Sequence, residues 1–156
     1  MKRILAIALV SILCLSCFSS CGLVNSFIEL YENFYSHGMD SVAMVEQFTV
    51  DILAEDYDKA LNYLHPDSII TKESLEKAVS SVKEKQGVDF SQEYTFEDLE
   101  FGVSPIVKAD SNGEMDILKV EYSVSFSIFI GEAEVQLSCV VLQDDNGFGI
   151  LMYNLK

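Results

Sequence analysis

The chain has 156 residues, of which the 135 after Cys21 make one ordinary domain long enough to bury a real core. All 25 acidic residues lie in that part, against eight lysines and no arginine, so it carries a formal charge of −17. Such a field repels phosphate backbones, and without a guanidinium fork there is no bidentate grip on phosphate or a base edge, which excludes nucleic acid as a partner.

The chain starts Met1-Lys2-Arg3 and continues ILAIALVSIL, a short basic start before an apolar run, the layout of a secretory signal peptide. Cys14, Cys17 and Cys21 follow within CLSCFSSCG. An export segment lacks the folded, electropositive setting that thiolate or metal chemistry needs. The stretch resembles bacterial lipoprotein signals, in which a small residue precedes a Cys that is lipidated and becomes the new N-terminus. That resemblance implies attachment at Cys21, between Ser20 and Gly22, with Cys17 as the alternative. The family's aliphatic residue three before the Cys is Phe18 in one case and Cys14 in the other, a departure in both. A third reading is an uncleaved anchor, since residues 4–28 carry no charged side chain and suffice to span a bilayer. Each reading leaves Lys2 and Arg3 inside and the remainder outside the cytoplasm. The expected organisation is a signal peptide over 1–21, a tether or short amphipathic helix over 22–40, and a single domain over 41–156. The expected location is the extracytoplasmic face of the cell membrane, held by a lipid anchor.

In the segment 22–40, Leu23, Phe27, Leu30, Tyr31 and Phe34 recur at helical spacing, and Gly38 is expected to end that helix. It either packs on the domain or lies at the membrane interface. From Ser41, read as an N-cap, Val45, Phe48 and Ile52 and then Tyr57, Ala60, Leu61 and Leu64 share a face. The Glu55-Asp56 step interrupts the pattern, so it predicts two helices or one bent one, ended by Pro66. Thr71 then caps KESLEKAVSSVKEKQ, with Leu75, Ala78, Val79 and Val82 as its stripe and Gly87 as its stop.

After residue 90 the period falls to two. YTFEDLEFGVS reads as a strand whose apolar parity slips between Phe96 and Leu99, as a bulge would produce. In DILKVEYSVSFSIFI one face carries Leu118, Val120, Tyr122, Val124, Phe126, Ile128 and Ile130, and the other mostly Lys, Glu and Ser. Gly131-Glu132 turns it into AEVQLSCVVLQ, and Asp145-Asn146-Gly147 turns that into FGILMYNLK. Helices first and four hairpin-linked strands after them give an α+β fold with N-terminal helices packed on a curved four-stranded antiparallel sheet. Cys139 shares the apolar parity of Val135, Leu137 and Val141 and reads as a small core residue.

QFTVDILAEDYDKALNYLHPDS resembles the opening of nuclear transport factor 2-like domains, the cone-shaped α+β fold that also includes ketosteroid isomerase-like proteins. Many secreted bacterial members have an acidic step and an aromatic residue, here Glu55-Asp56-Tyr57, before a short helix with Ala and Leu, here Ala60 and Leu64. The resemblance implies a pocket between sheet and helices, in a family that holds enzymes, ligand binders, interaction modules and domains of unknown function. No residue of this chain matches an isomerase or dehydratase site, so no catalytic position is carried over.

His37 and His65 stand apart from other ligand types, and His65, before Pro66, is expected to cap the last carbonyls of its helix. Asp110, Asn112, Glu114, Asp116 and Glu121 follow a calcium-loop order, but Gly113 falls where no such loop bends, so a hairpin turn at Asn112-Gly113 is the better reading. No metal and no cofactor is expected. Tyr57, Tyr63, Tyr94 and Tyr122 are the candidate pocket residues, with Tyr153 beside them, because a buried phenol needs a partner that a ligand can supply. Ser123, Ser125, Ser127 and Phe129 on the outer face of the long strand suggest a homodimer through the sheet. The functional expectation is a membrane-anchored binding module for a small apolar ligand or an envelope protein. The alternatives are a pocket enzyme of isomerase or lyase type and a purely structural interaction domain.

Overall fold

A computed structural model describes residues 21–109 and 115–156, and the chain divides into two compact units, residues 1–37 and 38–156. Of the first unit, the described residues, 21–37, are helical. Cys21 begins that helix, and Cys17 and the turn expected at Asn112-Gly113 lie outside the described residues. No helix among the described residues is long and apolar enough to cross a membrane.

The fold is α+β. The helices are α1 (Cys21–Leu53), α2 (Tyr57–Ala60), which continues as a 3-10 turn over Leu61–Tyr63, and α3 (Lys72–Gln86). The strands β1 (Tyr94–Ala109), β2 (Met115–Ile130), β3 (Ala133–Asp144) and β4 (Gly147–Leu155) form an open antiparallel sheet in the order β1-β2-β3-β4.

Two expectations about the first helix fail. Gly38 does not stop α1, and Ser41 is not an N-cap but a fully buried residue inside the helix. The reason Gly38 is a glycine is space: a Cβ there would lie 2.5 Å from Cζ of Phe101 on β1, so the helix passes under the ring only without a side chain. The break comes where the acidic step stands. Glu55 takes a left-handed conformation with φ of 60°, and Asp56 caps α2 through the Lys59 amide. Leu64 is extended, so helical structure ends before His65 and Pro66. Thr71 and Ser74 form a reciprocal capping box on α3, which Gly87 closes in the left-handed region.

On the sheet, Val120, Tyr122, Val124, Phe126, Ile128 and Ile130 of β2 are all buried, as are Val135, Leu137, Cys139 and Val141 of β3. Val45, Phe48 and Ile52 of α1 and Leu75, Val79 and Val82 of α3 are buried as well. Tyr153 on β4 joins the layers, its ring edge-on to Phe48 at 6.0 Å and its hydroxyl donating to the Ser74 carbonyl at 2.9 Å. The parity slip on β1 is a bulge between Glu97 and Glu100, with Asp98 at φ of 53°. Pairing of β2 with β3 begins at Val120, so the distal parts of β1 and β2 form a two-stranded arm on which Ile106, Val107, Ile117 and Leu118 are exposed.

Phe101 stacks on Tyr122 with centroids 6.2 Å apart. A Gly38→Ala substitution pushes that ring away, so it destabilises the wild-type chain. In a Phe101→Ala background the same substitution stabilises by about 1 kcal/mol, the helix propensity of alanine over glycine. Thermal unfolding of the four proteins of this cycle reads the sign reversal, and additivity of the two substitutions would show that the ring does not constrain residue 38.

Candidate functional site

The core between sheet and helices is made of fully buried side chains, with cavities of about 240–250 Å³ at its margins, one beside Glu46, Phe96 and Phe126 and one beside Ala78, Val82 and Leu155. Tyr122 sits at its centre, fully buried, and donates its hydroxyl to Gln143 Oε1 at 2.9 Å. Its ring packs on Phe101 and meets Phe148 edge-on. Tyr57 is buried at the start of α2, where burial and then the carboxylates of Glu55 and Glu76 push its phenol up. Tyr63 is half-buried in the 3-10 turn beside Asp51, and Tyr94 is half-buried at the start of β1 against Phe96. These four tyrosines therefore belong to different parts of the packing. Cys139 is buried in the same core, and desolvation pushes its thiol up to about 12, which keeps it protonated.

Two polar clusters fasten the helical segment. Asp51, buried in the last turns of α1, accepts from Lys59 Nζ at 3.2 Å and Gln47 Nε2 at 3.4 Å, both through Oδ1. Its Oδ2 has no hydrogen-bond partner among the described residues. This is the buried carboxylate that an acid/base reading would look for, but a cation, an amide and the Tyr63 phenol surround it and it holds α2 against α1.

His65 makes the second cluster. It is not a helix cap: its side chain is fully buried, its Nδ1 accepts from the Asp67 amide at 3.1 Å, and its Nε2 lies 3.1 Å from Asp144 Oδ1. An accepting Nδ1 fixes the neutral ring as the tautomer with its proton on Nε2, so Nε2–H donates to Asp144. Asp144 also accepts from the amides of Asn146 at 2.8 Å and Gly147 at 3.2 Å. Burial alone would push the Asp144 carboxyl up, but those amides and the His65 ring overcome it and hold it below the ordinary carboxylate value. His65, Asp67 and Asp144 stand close enough to hold a cation. Both ring nitrogens, however, are already committed to protein groups, and the Asp67 carboxylate receives Asn146 Nδ2 at 3.2 Å. The cluster is a clasp between the segment after α2 and the β3–β4 turn. Beside it the His65 amide donates to the Ile150 carbonyl at 3.0 Å, and Gly149 leaves the room: a Cβ there would lie 2.6 Å from the His65 nitrogen.

The opposite face of the sheet is open. A groove of about 510 Å³ runs over it, lined by Asp98 and Glu100 of β1, Ser125 and Ser127 of β2, Glu134, Gln136 and Ser138 of β3, and Asn154 and Lys156 at the C-terminal end. A second groove of about 320 Å³ shares Ser125, Ser138 and Asn154 and adds Ser123, Val140 and Met152. Strand register builds this surface, since Glu100 pairs with Ser125, Ser125 with Ser138, and Ser138 with Asn154, giving one polar row across all four strands. Ser127 is buried to 5% exposure and donates to Glu134 Oε1 at 2.6 Å, with Gln136 Nε2 at 3.3 Å from the same oxygen. Those two donors hold the Glu134 carboxyl below its ordinary value. The β2 serines were legible from alternation. Glu134, Gln136 and Ser138 had the same signal, alternating with the buried Val135, Leu137 and Cys139, while Asp98 and Asn154 join only through a bulge and strand pairing.

The clasp carries two expectations. Gly149→Ala forces the His65 backbone off β4 and destabilises by about 2–3 kcal/mol, measurable by urea unfolding. Because the Asp144 carboxyl titrates lower in the folded than in the unfolded chain, its contribution is complete above about pH 4 and is lost as pH falls further. The stability gap between the wild type and Asp144→Asn is therefore widest near neutral pH and narrows in acid; a gap constant from pH 7 to pH 2 would remove Asp144 from the acid response. Comparison of the chain with family models, with curated proteins and with solved structures finds no match.

Proposed function

We propose that this chain is a lipid-anchored, extracytoplasmic binding module of the nuclear transport factor 2-like type, which holds an envelope protein against the open outer face of its sheet. Support for the cone-like assignment comes from the order of three helices before four antiparallel strands and from the Glu55-Asp56-Tyr57 break before Ala60. Support for the anchor comes from the basic start, the apolar run and Cys21.

The observation that carries the binding reading is the contrast between the two sides of the sheet. On one side Phe48, Ile52, Leu75, Tyr122, Ile128 and Leu137 are fully buried in the core. On the other side lie two open grooves that share Ser125, Ser138 and Asn154, the first lined mainly by polar groups and the second mainly by apolar ones. Protein interfaces form on accessible surface with convergent polar groups, whereas a small apolar ligand needs an apolar cavity. The isomerase or lyase alternative has less support, since Tyr122 is spent on Gln143 and Asp51 on Lys59 and Gln47.

Native mass spectrometry of the processed protein released from membranes tests the choice between ligand and protein. The expected spectrum is the bare chain; an added small mass that leaves on denaturation moves the function to a ligand pocket. In cells, a photo-crosslinking residue at Ser138 is expected to trap a protein, and one at Ser80, exposed on α3, is not. Equal trapping from both positions, or from neither, would refute the sheet face as the binding surface.

A further inference from the structure

We infer that the outer-face grooves take an extended polypeptide segment that presents a lysine or arginine at one end and an apolar side chain at the other. The inference rests on the binding reading above and adds the chemistry of the partner.

The grooves are chemically polarised along the strands. At one end stand the carboxylates of Asp98 and Glu134 against the ammonium of Lys156, and Glu100 flanks the Ser125 row on β1. At the other end, in the cross-strand row of Ser123, lie Val140 and Met152, the latter 54% exposed. The floor between them is Ser125 and Ser138, side chains short enough to let a second backbone approach while offering hydroxyls to it. From Ser123 to Ser127 the strand advances about 13 Å at the usual rise per residue, which is the span of four or five extended residues. The Asp98 bulge re-aims the edge of β1 at the acidic end, where an unbulged strand would have continued its alternation.

Charge decides what fits. The chain carries −15 overall, so a second copy brought face to face would set these carboxylates against their own equivalents, and like charges opposed across an interface cost affinity. That argues against the homodimer through the serine face. A cationic side chain meets the opposite situation: the ionised Glu134, fixed by Ser127 and Gln136, is an acceptor already oriented toward the groove, and the surrounding field steers a basic segment to it. An apolar residue four or five positions along then reaches Met152 and Val140.

The test is a titration of the full-length, isotope-labelled chain in non-ionic detergent with a short synthetic peptide bearing lysines at one end and leucines at the other, followed by amide NMR shifts. The expected result is movement of the Ser125, Ser138 and Asn154 amides. Binding is expected to weaken about tenfold in Glu100→Gln/Glu134→Gln and about fivefold in Met152→Ser. The control Glu73→Gln/Glu76→Gln makes the same charge change at exposed positions on α3 and is expected to weaken it by no more than about twofold. Equal weakening in the two double variants would mean that only net charge is felt and would overturn the inference. If a peptide with glutamine in place of lysine moves the same amides equally well, the binding face survives and the basic partner does not. If neither peptide moves them and Ser138 traps no protein in cells, both the inference and the reading beneath it fall. Thermal unfolding of each variant separates lost binding from lost folding.

Discussion

The second unit depends on the burial of one face of β2. This strand is interior to the sheet, paired with β1 on one side and β3 on the other, and its alternate side chains from Val120 to Ile130 are all buried. Burying each of the larger ones is worth about 1.5–3 kcal/mol, so six together outweigh any single polar contact in the molecule. A slip of one residue would bring Glu121, Ser123 and Ser125 inward and expose Tyr122 and Val124, which makes the register almost impossible to shift. The same constraint decides the outer face. Once the apolar parity faces the helices, the serine parity must face away, and the adjacent strands align Glu100, Ser138 and Asn154 with it.

Around that core the helical segment is held by polar clasps, two of which centre on the buried side chains of Asp51 and His65. Asp51 draws α2 back after the reversal at Glu55, and Lys83 of α3 reaches Glu55 as well. His65 and Asp144 tie the segment before Pro66 to the β3–β4 turn, and the Ile150 carbonyl takes the His65 amide on the exposed edge of β4. The last contact matters beyond stability, because it covers part of a sheet edge that would otherwise invite pairing with another chain. The far edge, β1, is protected differently, by the Asp98 bulge, by Pro105 and by the charges of Glu97, Asp98 and Glu100. With both edges blunted, the open sheet face is left as the broad accessible surface of this unit, which is the physical basis for placing a partner there.

An acidic surface has consequences for where such a module can work. Eight lysines against 25 carboxylates repel anionic headgroups as well as nucleic acid, so a domain tethered to a membrane would stand away from it. The same field raises the encounter rate with a basic partner and makes binding sensitive to salt. The exposed arm at the distal end of β1 and β2, with Ile106, Val107, Ile117 and Leu118, is the contrasting apolar surface, remote in register from the acidic end of the groove.

By itself the sequence determined the α+β order, the start of the first strand though not its extension to Ala109, the parity of β2 and β3, the cap at Thr71, the stop at Gly87 and the burial of Cys139. These follow from local periodicity and turn chemistry, which need only a few neighbouring residues to be expressed. Tertiary structure alone decided the rest. Gly38 looked like a helix stop because its need for space comes from Phe101, 63 residues away, and not from its own backbone. His65 looked like a cap because its real partner, Asp144, lies 79 residues on. The candidate tyrosines stand on four different elements, α2, the 3-10 turn, β1 and β2, a placement that type and spacing do not reveal because packing is settled only when helices and sheet meet. The groove likewise exists only through strand register, which brings residues 98, 125, 138 and 154 together on a single face.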